Sequence, residues 1–199
     1  MYKRQAEDDA GRHSRAVLTA YAAARLPVDP VLSDSAPAII GSMLTAGLDR
    51  NAMAWANAVE EGSHGWALLA LAAPIRSSPV EAGAVGNFRD QDDSADSRRS
   101  AFLLAGLAGL GRLAPQSVDE LAGDMGVDLK RQSRWSQMID AAAQTDNATL
   151  VALLAGLGMQ GDGWGKMTPR HLYHIVSALN RVGLEAEARM IAAEAVARG

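Results

Sequence analysis

An all-α fold is predicted by three features of the sequence. Apolar residues recur at helical spacing in runs such as AFLLAGLAGLG and TLVALLAGLG. No stretch alternates apolar and polar residues as a half-buried strand does, and helix-like segments resemble one another along the chain. Composition agrees: 48% of residues are hydrophobic but only 5% aromatic, and plentiful alanine and glycine favour closely packed helices over a sandwich of strands.

The clearest internal similarity joins two tryptophan segments, GLDRNAMAWANAVEEG and DLKRQSRWSQMIDAAAQ, whose Trp55 and Trp135 lie 80 residues apart. Aligning them brings the flanking segments into four helix types. The first type begins at Arg12, Arg98 and Pro169; the second at Ser35, Ser117 and Glu185. The third is the tryptophan segment, and the fourth begins at Ser63 and Thr145. The predicted architecture is therefore an α-solenoid-like, right-handed array of about ten helices in antiparallel hairpins, with units at 12–74 and 98–160 and a half unit at 169–199. Residues 1–11 form a polar N-terminal segment, and 12–199 a single domain. LLAGL, at Leu103–Leu107 and again at Leu153–Leu157, falls in different helix types and reads as a core-packing element.

Boundaries follow from capping chemistry. Ser35, Ser63, Ser117 and Thr145 each precede an apolar-periodic segment, and SVDE from Ser117 fits a capping box. The prolines of LPVDP, APIRSSP, LAP and MTP mark where helices stop or start. Ile75–Ser97 interrupts the array as an insertion loop; VEAGAVGNF is expected to lie against the helices and the acidic DQDDSAD to stay mobile. The last helix, EAEARMIAAEAVARG, has alternating charge on one side and Met190, Ile191 and Val196 on the other, as a polar-faced cap does, and homo-oligomerisation through an open end fits the array.

In design such an array resembles TPR and HEAT proteins. The TPR tryptophan–glycine–tyrosine spacing and the ankyrin TPLH signature are both absent, so the resemblance implies architecture and no family's function.

Several chemistries are excluded. With no cysteine there is no disulfide, thiolate catalysis or cysteine-based zinc site. A net charge of -4, from 19 basic and 23 acidic residues mixed along the chain, gives no basic tract for nucleic acid. The apolar runs are too short to span a membrane. The opening MYKRQAEDDAGRHSR lacks the apolar region of a signal peptide, so a chain complete as given is expected in the cytoplasm; as part of a longer periplasmic protein it takes its address from upstream. DQDDSAD lacks the glycine and glutamate of an EF-hand, and GDGWGKMT fails the phosphate-loop spacing. His171 and His174 with Asp162 resemble a partial metal set without a fourth ligand. No cofactor and no metal are expected.

Candidate contact residues come from the breaks in the repeat. Arg12, Arg98 with Arg99, and Arg170 stand at the starts of type-one helices, where a cation opposes the helix dipole. One reading is a ladder of guanidinium groups for an acidic peptide or glycan; the other is local pairing with Asp8, Asp9 and Asp96. Trp164, in a glycine-rich turn, is expected to expose its ring as a contact residue, with His171 close in sequence. The functional expectation is a non-catalytic helical-repeat module binding a peptide, a protein or a glycan. The alternatives are an all-α enzyme acting on glycans or small molecules, for which Glu60, Glu61, Asp119, Glu120 and Asp124 supply carboxylates, and a helical domain of a larger protein.

Overall fold

The computed structural model describes residues 9–74, 78–161 and 163–199. Most of the polar segment 1–11, including Asp8, lies outside the described residues, as do Ile75, Arg76, Ser77 and Asp162. Every regular element among the described residues is helical. Eleven α-helices follow in order: α1 (Asp9–Ala23), α2 (Ala36–Thr45), α3 (Asp49–Met53), α4 (His64–Ala72), α5 (Ala82–Asp90), α6 (Arg98–Gly109), α7 (Pro115–Asp124), α8 (Arg134–Gln144), α9 (Ala148–Gly158), α10 (Pro169–Arg181) and α11 (Glu185–Arg198).

The centre is α6, which carries the first LLAGL. Phe102, Leu103, Leu104 and Leu107 are fully buried, each contributing about 1.5–3 kcal/mol of apolar burial. Its glycines let neighbours approach: a Cβ on Gly106 would stand 2.9 Å from Ala192 of α11, and one on Gly109 2.9 Å from Val176 of α10. Helices α10 and α11 pack on α6 and on each other; α11 also meets α2 and α4, and α8 with α9 lies against α10. Helix α1 packs on α2. The last helix, α11, thus returns to α2 and α4, a closure that a row of hairpins touching only their neighbours lacks.

The boundary residues divide. Ser63 caps α4, its hydroxyl accepting from the Trp66 N–H at 3.2 Å. Ser35 occupies the cap position of α2 without a side-chain bond. Ser117 lies inside α7 because Pro115, with its fixed φ, starts that helix two residues earlier. Thr145 closes α8, and Asn147 caps α9 by accepting from Leu150 N–H at 3.0 Å. The segment around Trp55 is not one helix: α3 ends at Met53, and Trp55 sits in a 3-10 turn, Ala54–Ala58. Trp55 is buried, whereas Trp135 is half-buried, its indole N–H donating to Leu154 O at 3.0 Å.

The insertion contains a helix, α5, whose Ala84, Val85 and Phe88 are buried. Its acidic end is anchored. Asp92 Oδ2 accepts from the Ser100 N–H at 2.8 Å and the Ser100 hydroxyl at 2.6 Å, while Oδ1 accepts from Ser94 N–H at 2.9 Å. The carboxylate thereby satisfies an N–H in the first turn of α6 that lacks an intrahelical partner.

Candidate functional site

Small residues on α2 and α11 leave a cavity of about 680 Å³ between α1, α2, α4, the start of α6 and the end of α11. Ala38 and Gly41 of α2 face Ala193 and Ala197 of α11 across it, with Leu68 and Met190 adding apolar surface. A Cβ on Gly41 would come no nearer than 3.9 Å to Leu68, so the missing side chain leaves usable space. The wall formed by α1 is fixed by hydroxyls: Ser42 donates to Ala16 O at 2.7 Å and lies 3.1 Å from the Thr19 hydroxyl.

Among the described residues of the lining, Arg12, Arg99 and Arg198 contribute three guanidinium groups and Glu194 a carboxylate, which pairs with Arg198 a helical turn away. Arg99 is held by its Nε–H to Gly199 O at 3.1 Å and by Asp93 at 3.2 Å. His13 and His64 complete the polar lining. Burial, then the neighbouring Arg99 charge, lower the His64 pKa below 6.5, and Asp92 and Asp93 offset this only partly. His64 is therefore a neutral ring at neutral pH, stacked on Phe88 at 6.2 Å.

Of the four arginines expected at helix starts, the fold brings Arg12, which lies inside α1 because that helix begins at Asp9, and Arg99 to this cavity. Arg98 points elsewhere, donating to Gly165 O at 2.8 Å and Trp164 O at 3.4 Å. Arg170 is half-buried at the start of α10, away from the cavity lining. Trp164 corrects the expectation of an exposed ring: it is buried, 6.2 Å from Phe102 in an edge contact. The glycine-rich turn lets its backbone fold inward, and Arg98 clips that backbone in place. His171 sits 5.0 Å from the Trp135 ring, with Nδ1 2.7 Å from the Thr168 hydroxyl. Burial, followed by the Arg170 and His174 charges, lowers its pKa. Among the described residues no three acidic or histidine side chains gather into a metal-ligating group, and no helix is long and apolar enough to cross a membrane.

Sequence reasoning missed His13, His64, Gly41, Glu194 and Arg198. The local signals were a Glu–Arg pair four apart on the last helix and the glycine in SAPAIIGSML; neither reveals that α2 and α11, so far apart in sequence, face one another. The class defined by fold and site is an all-α bundle with a cation-lined, apolar-floored cavity. No protein-family model, curated protein or solved structure matches the chain.

Proposed function

We propose that this protein is a non-catalytic binding module that receives an acidic segment of a peptide or protein in the cavity between α1, α2 and α11. The observation that carries this reading is the convergence of Arg12, Arg99 and Arg198 over a floor of alanine, glycine, leucine and methionine. Guanidinium forks bind carboxylates through paired N–H donors, and the apolar floor accepts an aliphatic neighbour of the acid. A glycan, with hydroxyls all round, suits such a floor less well. The succession of hairpins predicted from the repeat belongs to the same reading, as the frame on which helices far apart in sequence line one cavity. Hydrolysis by two carboxylates in one cleft finds less support, because among the described residues the cavity presents Glu194 alone, paired with Arg198.

The test is selection from a library of peptides matched in length and varied in charge. Acidic peptides with an adjacent aliphatic residue should be enriched, and binding should weaken as salt rises. Charge reversal of the exposed Arg12 (R12E) should lower affinity about tenfold, and Gly41→Leu, which fills the cavity, should abolish it. Equal affinity for acidic and basic peptides, or binding untouched by both substitutions, overturns the reading.

A further inference from the structure

Helix α9 carries no charged residue, yet only one of its sides is covered. Val151, Leu154 and Ala155 are buried in its packing on α8 and α10, whereas Leu150, Leu153 and Leu157 on the opposite side are exposed, Leu153 by 67%. Thr149, Ala152, Gly156 and Gln160 complete the exposed face, and no charged residue stands between Asp146 and Asp162 in the sequence. A helix apolar on both sides is normally buried on both, and leucines three and four residues apart make a continuous patch.

The same five residues elsewhere in the chain show what such a face takes. In α6, LLAGL is covered by α11 and α4, with Ala192 and Leu71 2.9 Å from where a Cβ of Gly106 would stand; a Cβ on Gly156 of α9 would meet nothing within 4 Å. An uncharged helix of leucines and small residues fits there, and α9 is itself such a helix. Laid antiparallel on its own copy about Leu153, with an advance of about 100° per residue, α9 sets Leu150 of each copy against Leu157 of the other. Gly156 then faces Thr149.

Charge favours this occupant. Trp135 holds the start of α8 beside the end of α9, its ring filling the space over Gly158 and its N–H donating to Leu154 O at 3.0 Å. Arg134 therefore stands near the end of α9, and Asp146 precedes its start; both are exposed, and neither is ion-paired among the described residues. Antiparallel packing brings Asp146 of each copy toward Arg134 of the other, twice by symmetry, whereas parallel packing sets like charges together.

We propose that this chain forms an antiparallel homodimer through the exposed face of α9. That face shares no residue with the cavity between α1, α2 and α11, so the two readings fail separately. One helix face is small beside a standard interface of about 800 Å² per partner, so the dimer is reversible and concentration-dependent.

The experiment is sedimentation velocity of the full chain from about 1 μM to about 500 μM, the range of a weak dimer. The chain should pass from monomer to dimer across that range. Leu153→Gln, at an exposed position, should stay monomeric throughout, with thermal unfolding at the lowest concentration unchanged. Arg134→Glu should raise the dissociation constant about tenfold. Adding Asp146→Asn should recover part of that loss, asparagine tolerating the φ of 53° found there. Because the chain has no cysteine, Leu153→Cys supplies a single thiol at the two-fold axis. Mild oxidation with copper phenanthroline should join two copies through it, and not through Leu18→Cys at an exposed position of α1. A monomer at every concentration, a dimer untouched by Leu153→Gln, or equal cross-linking at both positions overturns the proposal.

Discussion

Arg189, on the last helix, donates its guanidinium to the carbonyl oxygen of Ala72 at the end of α4, 117 residues earlier in the chain. A second buried arginine converges on the same helix end. Arg112 donates to Ala70 O at 2.6 Å, Leu71 O at 3.0 Å and Ala73 O at 2.5 Å, and lies 3.7 Å from Glu185. The last carbonyls of a helix lack intrahelical donors and carry the negative end of its dipole, so two guanidinium groups there satisfy both needs. Gly111, at a φ of 66°, makes the turn from α6 that delivers Arg112 to this place. Arg112→Met keeps the apolar stem and leaves three acceptors without their donor. It should destabilise the protein by about 3 kcal/mol, read as a lower urea midpoint with an unchanged slope. A shift equivalent to less than about 0.5 kcal/mol would show that water reaches those carbonyls.

The two copies of LLAGL predict opposite outcomes for one chemical change. In α6, a methyl on Gly106 meets Ala192 Cβ and Leu71 Cδ2 at 2.9 Å, so α6 and α11 must part. In α9, Gly156 has nothing within 4 Å, and Leu153 and Leu157 beside it are 67% and 54% exposed. Gly156→Ala should therefore stabilise by up to about 1 kcal/mol through helix propensity. Gly106→Ala should destabilise by about 1 kcal/mol net, the clash outweighing that gain. Thermal unfolding of the two single variants checks both, and like signs would contradict the packing of α6 on α11.

What local periodicity carries, the sequence revealed: the all-helical class and the central burial of Phe102 to Leu107 rest on spacing within a dozen residues. What depends on which helices meet stayed hidden. Arg112 and Arg189 look like surface charges because nothing near them in sequence announces the end of α4. Trp164 looks exposed because glycines surround it, yet Phe102 receives its ring. Arg12 and Arg99 emerged as a recurrence at helix starts, but only the closure of α11 onto α2 shows that they share a cavity with Arg198, whereas Arg98 and Arg170 do not.

Asp92 shows how an acidic tract becomes structural. Burial pushes its pKa up, but hydrogen bonds from Ser100 and Ser94 outweigh that and hold it below 3.8. A carboxylate with a depressed folded pKa stabilises fully above its unfolded value, and that contribution is lost as pH falls through the folded one. Asp92→Ala should cost about 1–2 kcal/mol at neutral pH, the size of a lost helix cap, and should free the segment before α6 to proteases. Below about pH 3.8 the gap between wild type and variant should narrow. A gap constant down to strong acid would mean that the Asp92 charge contributes nothing.

His64 has the opposite pH signature. Its folded pKa is lowered, by burial and then by Arg99, so the unfolded chain binds a proton that the folded chain refuses once pH drops below 6.5. Above that pH the ring is neutral in both states and costs nothing. As pH falls through 6.5 the folded state loses ground, and below the folded pKa the loss stays constant. His171 shifts the same way and adds to the slope. His64→Gln should flatten the acid-side fall in stability, most visibly in denaturation midpoints measured across that window. An acidic peptide bound in the cavity should reduce that fall in the wild type, because a carboxylate placed near Arg99 offsets the charge that adds to burial in lowering the His64 pKa. A His64→Gln profile superimposable on that of the wild type would place the acid sensitivity elsewhere in the molecule.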